Sequence, residues 1–77
     1  MKRDRIIEIV KQVAEAADLP AADESLFDAG ILDSFKLTDV IESLESEFGI
    51  KVPDSDLTPR KFETIEKIEA YLDGHRN

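Results

Sequence analysis

The feature that most constrains the fold is an apolar stripe between residues 37 and 48. Its members recur at the i, i+3, i+4, i+7 and i+11 positions of one helix face: Leu37, Val40, Ile41, Leu44 and Phe48. The intervening residues are acidic or carry hydroxyl groups, so the segment is predicted to be an amphipathic helix with one buried face. Gly49 follows at once, where a C′ glycine ends many helices.

Two more helices are predicted near the ends of the chain. In the first, Asp4 is the expected N-cap, Leu19-Pro20 is the expected end, and the apolar residues at helical spacing are Ile6, Ile7, Val10, Val13, Ala14 and Ala17. In the last, Thr64 is the expected N-cap and Gly74 the expected end. Its inward-facing residues are predicted to be Ile65, Ile68, Tyr71 and Leu72. No strand-like alternation and no repeat occurs.

The connecting segments also carry apolar residues. The stretch 18–33 is expected to be a loop held on the core by Leu26, Phe27, Ile31 and Leu32, with a single turn at Ser25-Leu26-Phe27 and positive φ at Gly30. Pro53 and Asp54 are expected to open a short helix through Leu57, which Thr58-Pro59 interrupts, and Phe62 is an expected core anchor.

These elements predict an all-α fold, a small antiparallel helical bundle with three main helices and a short helix before the last. A chain of 77 residues is long enough for one domain, 1–77, which we expect to be ordered over about residues 3–73 with a flexible C-terminal tail.

Several classes of function lack the residues they need. The chain has no cysteine, so it offers no disulfide, no thiolate metal site and no thiol of its own. The single histidine, His75, is expected in the tail, which leaves a Ser-His nucleophile pair without support. Asp54-Ser55-Asp56 is not followed by the glycine and glutamate of a calcium loop. We therefore expect neither an enzyme nor a metal site.

Charge is concentrated in the middle of the chain. The net charge is −8, and residues 18–56 carry eleven acidic side chains against Lys36 and Lys51 alone. Such a field repels nucleic acid and anionic lipid, favours partners with basic patches, and favours a monomer. A solvated surface that only aids solubility is the alternative, and charge alone does not decide between them. No apolar run or leader-like segment is present, so a soluble cytoplasmic protein without membrane insertion is expected.

The tripeptide Asp33-Ser34-Phe35 lies where the long loop meets the second helix. Asp and Ser immediately before an apolar-periodic segment are ordinary capping residues, and capping alone would explain them. A helix N-terminus is also a favourable place for a phosphate group. The local spacing leaves both interpretations open.

A resemblance to a known family bears on this choice. The run Leu26-Phe27-Asp28-Ala29-Gly30-Ile31-Leu32-Asp33-Ser34-Phe35 resembles the prosthetic-group loop of acyl carrier proteins, whose core motif is Asp-Ser-Leu. Residues 42–53 are similar to the family's second helix and its Ile/Val-Pro exit, and Thr64-Ile65 to the start of its last helix. The resemblance covers about residues 5–73.

The resemblance implies that Ser34 carries a 4′-phosphopantetheine arm, taken from coenzyme A by a separate phosphopantetheinyl transferase with magnesium. It implies that Asp33 helps by binding that enzyme's metal or basic groups. Acyl groups would be held as thioesters on the thiol of the arm. It further implies that basic patches of partner enzymes, including downstream acyl-processing enzymes, contact the chain near Phe35, Lys36, Asp39, Glu42, Glu45 and Glu47.

Three departures indicate the kind of carrier. Phe35 replaces the usual leucine, Lys36 stands where fatty-acid carriers have an acidic residue, and the segment from Pro53 to Thr64 is slightly longer. In the Asp-Ser-Phe form and the longer segment the chain resembles D-alanyl carrier proteins and other stand-alone carriers that separate adenylating ligases load. The leading hypothesis is thus an acyl or aminoacyl carrier in a specialised pathway. The alternatives are a fatty-acid synthesis carrier and a pantetheine-free helical adaptor that binds partners through its acidic face.

Overall fold

The computed structural model describes residues 2–75, and all regular structure in that range is helical. The order of elements is α1 (Lys2–Ala14), α2 (Ser34–Phe48), two 3-10 turns (Asp54–Asp56 and Pro59–Lys61) and α3 (Ile65–His75). This confirms the predicted helical bundle with three main helices. The single short helix predicted before α3 is in fact two separate 3-10 turns. No helix within residues 2–75 is long and apolar enough to cross a bilayer.

The core forms where α1 packs against both α2 and α3. The predicted α2 stripe is confirmed, because its first four members are buried and Phe48 is half-buried. Phe62 is fully buried, as predicted. The centroid of its ring lies 4.8 Å from that of the Tyr71 ring, and the two ring planes are inclined by 52°. The helices contribute to one core cluster through Ile6, Ile9, Val10, Leu37, Val40, Ile41, Leu44, Ile65, Ile68 and Leu72.

Both predicted ends of α1 were wrong. The helix already includes Lys2, so Asp4 lies in its first turn and is not the N-cap. At the other end the helix stops at Ala14, and Ala17 is exposed. The cause is Glu15, which adopts φ +54° although it is not a glycine.

Hydrogen bonds around Glu15 form a Schellman motif. The N–H of Glu15 donates to the Gln12 carbonyl at 3.3 Å, and the N–H of Ala16 donates to the Lys11 carbonyl at 3.0 Å. This pattern ends a helix by placing the C′ residue in the left-handed region, where glycine is favoured. Residues 15–33 consequently form a longer loop than the pattern indicated.

Leu26 fixes this loop to the rest of the molecule. Its side chain is fully buried, and its N–H donates to the carbonyl of Glu63, just before α3, at 2.6 Å. Its own carbonyl accepts the N–H groups of Ile31 at 2.9 Å and Leu32 at 3.1 Å. The predicted turn is present too, since the Asp28 N–H donates to Ser25 Oγ at 3.1 Å. Gly30 has the expected positive φ, at 76°.

The start of α3 is capped from two sides. Thr64 Oγ1 accepts the Lys67 N–H at 3.0 Å, which confirms the predicted N-cap. The Glu66 N–H, which would otherwise lack a partner at a helix start, donates to the Ala22 carbonyl in the long loop at 3.1 Å. The helix continues through His75, so the end predicted at Gly74 was wrong. The remainder of the expected flexible tail, residues 76–77, lies outside the described residues.

Replacing Glu15 with glycine should stabilise the protein. Glycine adopts positive φ without the clash that costs an L-residue about 1–2 kcal/mol. The free energy of unfolding of Glu15→Gly, measured by urea titration, should therefore exceed that of the wild type by up to about 1 kcal/mol. Glu15→Gln is the matched control, because it removes the charge but keeps the side chain. A Glu15→Gly variant no more stable than Glu15→Gln would contradict the backbone explanation.

The Tyr71 side chain packs on the core and connects α3 to the first 3-10 turn by a hydrogen bond. Its hydroxyl donates to Asp56 Oδ2 at 2.7 Å. Burial, and then the hydrogen bond to Asp56, raise the pKa of Tyr71 from 10.0 to about 12. A pKa raised on folding means that the folded state holds the proton more tightly than the unfolded state does. The contribution of Tyr71 to stability is complete at pH values below its pKa in the unfolded state. It is lost as the pH rises through its pKa in the folded state.

The difference in unfolding free energy between the wild type and Tyr71→Phe should therefore shrink as pH rises from about 10 to about 12. Below this window the wild type should be the more stable protein. Because both proteins contain the same lysines, the effect of lysine titration on stability cancels in this difference. Urea titrations across the window measure the difference, and a constant difference would show that Tyr71 is not the titrating group.

Candidate functional site

Ser34 is the first residue of α2, and its side chain is exposed. The N-cap is Asp33, which has extended backbone angles (φ −136°, ψ −174°) and whose Oδ1 accepts the Lys36 N–H at 2.9 Å. Capping is thus performed by the residue before the serine. Among the described residues, no group hydrogen-bonds the Ser34 hydroxyl, which is left available for chemistry.

Buried residues hold this exposed segment from both sides. Leu32 and Leu37 are 4% and 5% exposed, so the chain between them projects from the core over a short and well-fixed distance. Phe35 lies in that projection with 85% of its surface exposed, and Lys36 is half-buried. Aromatic side chains are enriched where proteins contact one another. An aromatic ring exposed next to an available serine therefore suits contact with another protein.

The electrostatics of the helix start suit a phosphate group. The 15 residues of α2 align their peptide dipoles with the positive end at Ser34, and apart from the N-cap Asp33 no acidic residue occupies the first turn. A phosphodiester on the Ser34 hydroxyl would meet that positive end, with Lys36 in the same turn. The residues present at this site fit a phosphate-linked group.

The four acidic α2 side chains predicted to bind partners fall into two pairs. Asp39 and Glu42 are exposed, and their carboxylates contact no hydrogen-bond or ion-pair partner among the described residues. Glu45 is half-buried, and its Oε2 accepts the Val52 N–H at 2.8 Å. Glu47 binds Arg5 through both carboxylate oxygens, at 3.1 Å to Nε and 2.9 Å to a terminal nitrogen.

The Arg5–Glu47 contact was not predicted from the sequence. Arg5 lies on α1 and also binds Glu8 at 2.8 Å. The hydrogen bond from Arg5 lowers the pKa of Glu47 below its ordinary value. Residues 5 and 47 share no helix, so no spacing rule pairs them, and only the packing of α1 on α2 brings them together.

A cleft of about 240 Å³ lies beside α2. Its lining combines apolar Ile41, Val52 and Leu57 with polar groups that include Thr38, Glu42 and Asp54. It begins at Thr38, whose hydroxyl donates to the Ser34 carbonyl at 3.3 Å. The cleft therefore opens one helical turn from the candidate attachment site. Sequence reasoning missed it, because its second wall is formed by residues 51–57.

Comparison with known proteins identifies the family of the chain. Residues 4–72 match the family model described as "Phosphopantetheine attachment site". The chain belongs to that family. It is accordingly a carrier protein rather than an enzyme, and its prosthetic group is 4′-phosphopantetheine.

The carrier is also similar to proteins named D-alanyl carrier protein. It is 40% identical to the one from Streptococcus thermophilus (strain ATCC BAA-491 / LMD-9) over 72 residues, which cover 94% of this chain and 91% of that one. Identity to the protein from Streptococcus sanguinis (strain SK36) is 38% with the same coverage. The match to Streptococcus pyogenes serotype M1 reaches 50% over 46 residues, or 60% of this chain and 58% of that one. These similarities confirm the predicted resemblance to carriers of this type.

Loss of the Asp33 cap should measurably destabilise the folded carrier. Asp33→Ala removes the acceptor for the Lys36 N–H and should lower the free energy of unfolding by about 0.5–2 kcal/mol. Asp33→Asn keeps an oxygen in that position and should stay close to the wild type. Thermal or urea unfolding of the three proteins measures this. Equal stability of the alanine variant would show that Asp33 does not cap the helix.

Proposed function

We propose that Ser34 is the attachment point of the 4′-phosphopantetheine arm, and that the carrier holds aminoacyl groups as thioesters on the thiol of that arm. The observation that carries this proposal is the division of roles at the start of α2. Asp33 caps the helix, and the exposed Ser34 hydroxyl is left without an internal hydrogen bond.

In the transferase reaction the Ser34 hydroxyl would lose its proton and attack the phosphorus next to the pantetheine in coenzyme A. The pyrophosphate P–O bond would break, adenosine 3′,5′-bisphosphate would leave, and phosphopantetheine would remain on Ser34. Oδ1 of Asp33 is engaged by the Lys36 N–H, so Oδ2 is the oxygen through which Asp33 would meet the magnesium or basic groups of that enzyme. Phe35 and Lys36 flank the same point. Asp39 and Glu42 would attract basic patches on partner enzymes, since charges at the rim of a transient interface mainly raise the rate of encounter.

The proposed cargo rests on the relatives. Proteins 38–40% identical over 94% of the chain are named D-alanyl carrier proteins, so a D-alanyl group is our choice of cargo. A separate adenylating ligase would load it onto the arm, and downstream enzymes would accept it. We propose a cytoplasmic location, where ATP and coenzyme A are available for both steps. Tethering the cargo makes its encounter with each active site effectively intramolecular.

Arm attachment is tested by intact mass. After incubation with coenzyme A, magnesium and a broad-specificity phosphopantetheinyl transferase, the wild type should gain the mass of one phosphopantetheine unit, and Ser34→Ala should gain none. Ser46→Ala, an exposed serine on the same helix, is the matched control and should react like the wild type. No gain in the wild type, or an equal gain in Ser34→Ala, would overturn the proposal.

Cargo is tested separately on the modified carrier. With ATP, D-alanine and a D-alanine-adenylating ligase, the arm-bearing carrier should gain one alanyl mass, which hydroxylamine should remove because it cleaves thioesters. The unmodified chain should gain nothing. Loading with fatty acyl groups by an acyl ligase, combined with refusal of D-alanine, would show instead that the carrier serves fatty-acid chemistry.

A further inference from the structure

Lys36 occupies a position of α2 where a lysine is electrostatically unfavourable. Because Asp33 is the N-cap, Ser34 and Phe35 are the first two helical residues and Lys36 is the third. The positive end of the helix dipole lies here, so an acidic side chain stabilises this turn and a cation destabilises it. In a capping box the third helical residue is a glutamate or glutamine that accepts the N–H of the N-cap residue. A lysine has no acceptor atom and cannot make that bond.

No carboxylate of the described residues compensates this placement. The ion pairs within that range use other cations, namely Lys2, Arg3, Arg5, Lys61 and Lys67. Asp39 lies at i+3 from Lys36, a spacing at which side chains of a helix can pair, yet the two form no ion pair. The Lys36 side chain is nevertheless half-buried, so part of it packs against the protein. Its charge therefore stays near the start of α2 without being neutralised.

Attraction of basic partner patches does not explain Lys36 either. Its charge has the same sign as such a patch, so it opposes the attraction that Asp39 and Glu42 would supply. Neither capping nor docking accounts for a lysine at this position. Residues that break a local rule of helix chemistry are expected mainly at functional sites.

Attachment of the arm would change the charges around Lys36. The phosphodiester formed on Ser34 is an anion, and it would lie next to the carboxylate of Asp33. A cation between two such anions is favourably placed. Helix side chains lean towards the N-terminus, lysine has a four-carbon stem, and the capping box shows that a side chain at the third position reaches the helix end. The ammonium of Lys36 can therefore reach a phosphate on Ser34.

We propose that Lys36 is the counter-ion of the phosphodiester that joins the arm to Ser34. The inference rests on the proposed attachment at Ser34 and adds a role for this lysine. In the unmodified chain Lys36 is unfavourably placed. In the modified chain its ammonium and the phosphate attract each other, so the start of α2 becomes more stable. Lys36 is a positioning residue that holds the base of the arm, and it takes no part in the transfer reaction.

The unfavourable placement is tested on the unmodified chain. Lys36→Met keeps a long side chain but removes the charge, so its Tm in low salt should exceed that of the wild type by about 1–5 °C. The gain should vanish in about 1 M salt, where charges are screened within about 3 Å. Lys51→Met is the matched control, because Lys51 is an exposed lysine beyond the other end of α2, and it should show no such gain. A Lys36→Met chain no more stable than the wild type in low salt would overturn the inference.

The pairing is tested by measuring the Tm of each protein before and after arm attachment. The change in Tm on attachment should be more positive in the wild type than in Lys36→Met by about 1–5 °C in low salt. Taking this difference removes effects of the arm that both proteins share, such as added repulsion in a chain of net charge −8. Lys36→Arg keeps the charge and should behave like the wild type, as should Lys51→Met. Intact mass shows that each sample is fully modified.

The wild type alone supplies a second measurement. Acetylation of individual lysines by a chemical reagent, followed by peptide mass spectrometry, should slow about twofold to fivefold at Lys36 when the arm is attached, because the phosphate holds its ammonium. Acetylation of Lys51 should keep its rate. In about 1 M salt the difference at Lys36 should disappear, whereas shielding by the bulk of the arm would persist.

Three results would overturn the role of Lys36 in a carrier that does accept the arm. They are an equal change in Tm in the wild type and Lys36→Met, a loss of the effect in Lys51→Met as large as in Lys36→Met, and slowed acetylation of Lys36 that salt does not reverse. A wild type that gains no arm mass would instead overturn the proposed function, and with it the inference built on it. The mass measurement thus separates the two failures.

Discussion

The position of the candidate attachment site depends on how Leu26 is held. This one residue uses its side chain, its N–H and its carbonyl to bind the long loop to the core, to the start of α3 and to its own next turn. Loops of this length are ordinarily mobile. Here the loop arrives at Asp33 with little freedom, so α2 begins at a fixed place. Leu26→Ala would lose about 2–5 kcal/mol from a core that is small to begin with.

Helix α2 does two different tasks with its two faces. The apolar face closes the core against α1. The other face carries charge, but only part of that charge is directed outward, because Glu45 and Glu47 are engaged by Val52 and Arg5. A carrier requires a solvent-exposed hydroxyl to which its arm can be attached. It also requires a surface that partner proteins bind transiently.

Periodic patterns predicted the parts of the fold that periodicity determines. The stripe of α2 and the Thr64 cap were found because apolar spacing and capping chemistry are local. The end of α1 was missed because Glu15 takes a conformation that usually belongs to glycine. The internal roles of Glu45 and Glu47 and the cleft were also missed, since each depends on chain segments that meet only in the folded protein. Ser34 is proposed as the attachment site through resemblance to a family, and the structure shows that Asp33, not Ser34, caps the helix.

The most direct test of the account is to locate the arm in the modified wild-type chain. Proteolysis followed by tandem mass spectrometry would assign the phosphopantetheine to a single side chain. We predict one modified residue, Ser34, and unmodified peptides elsewhere. An arm found on any of the other serines, Ser25, Ser43, Ser46 or Ser55, would contradict it.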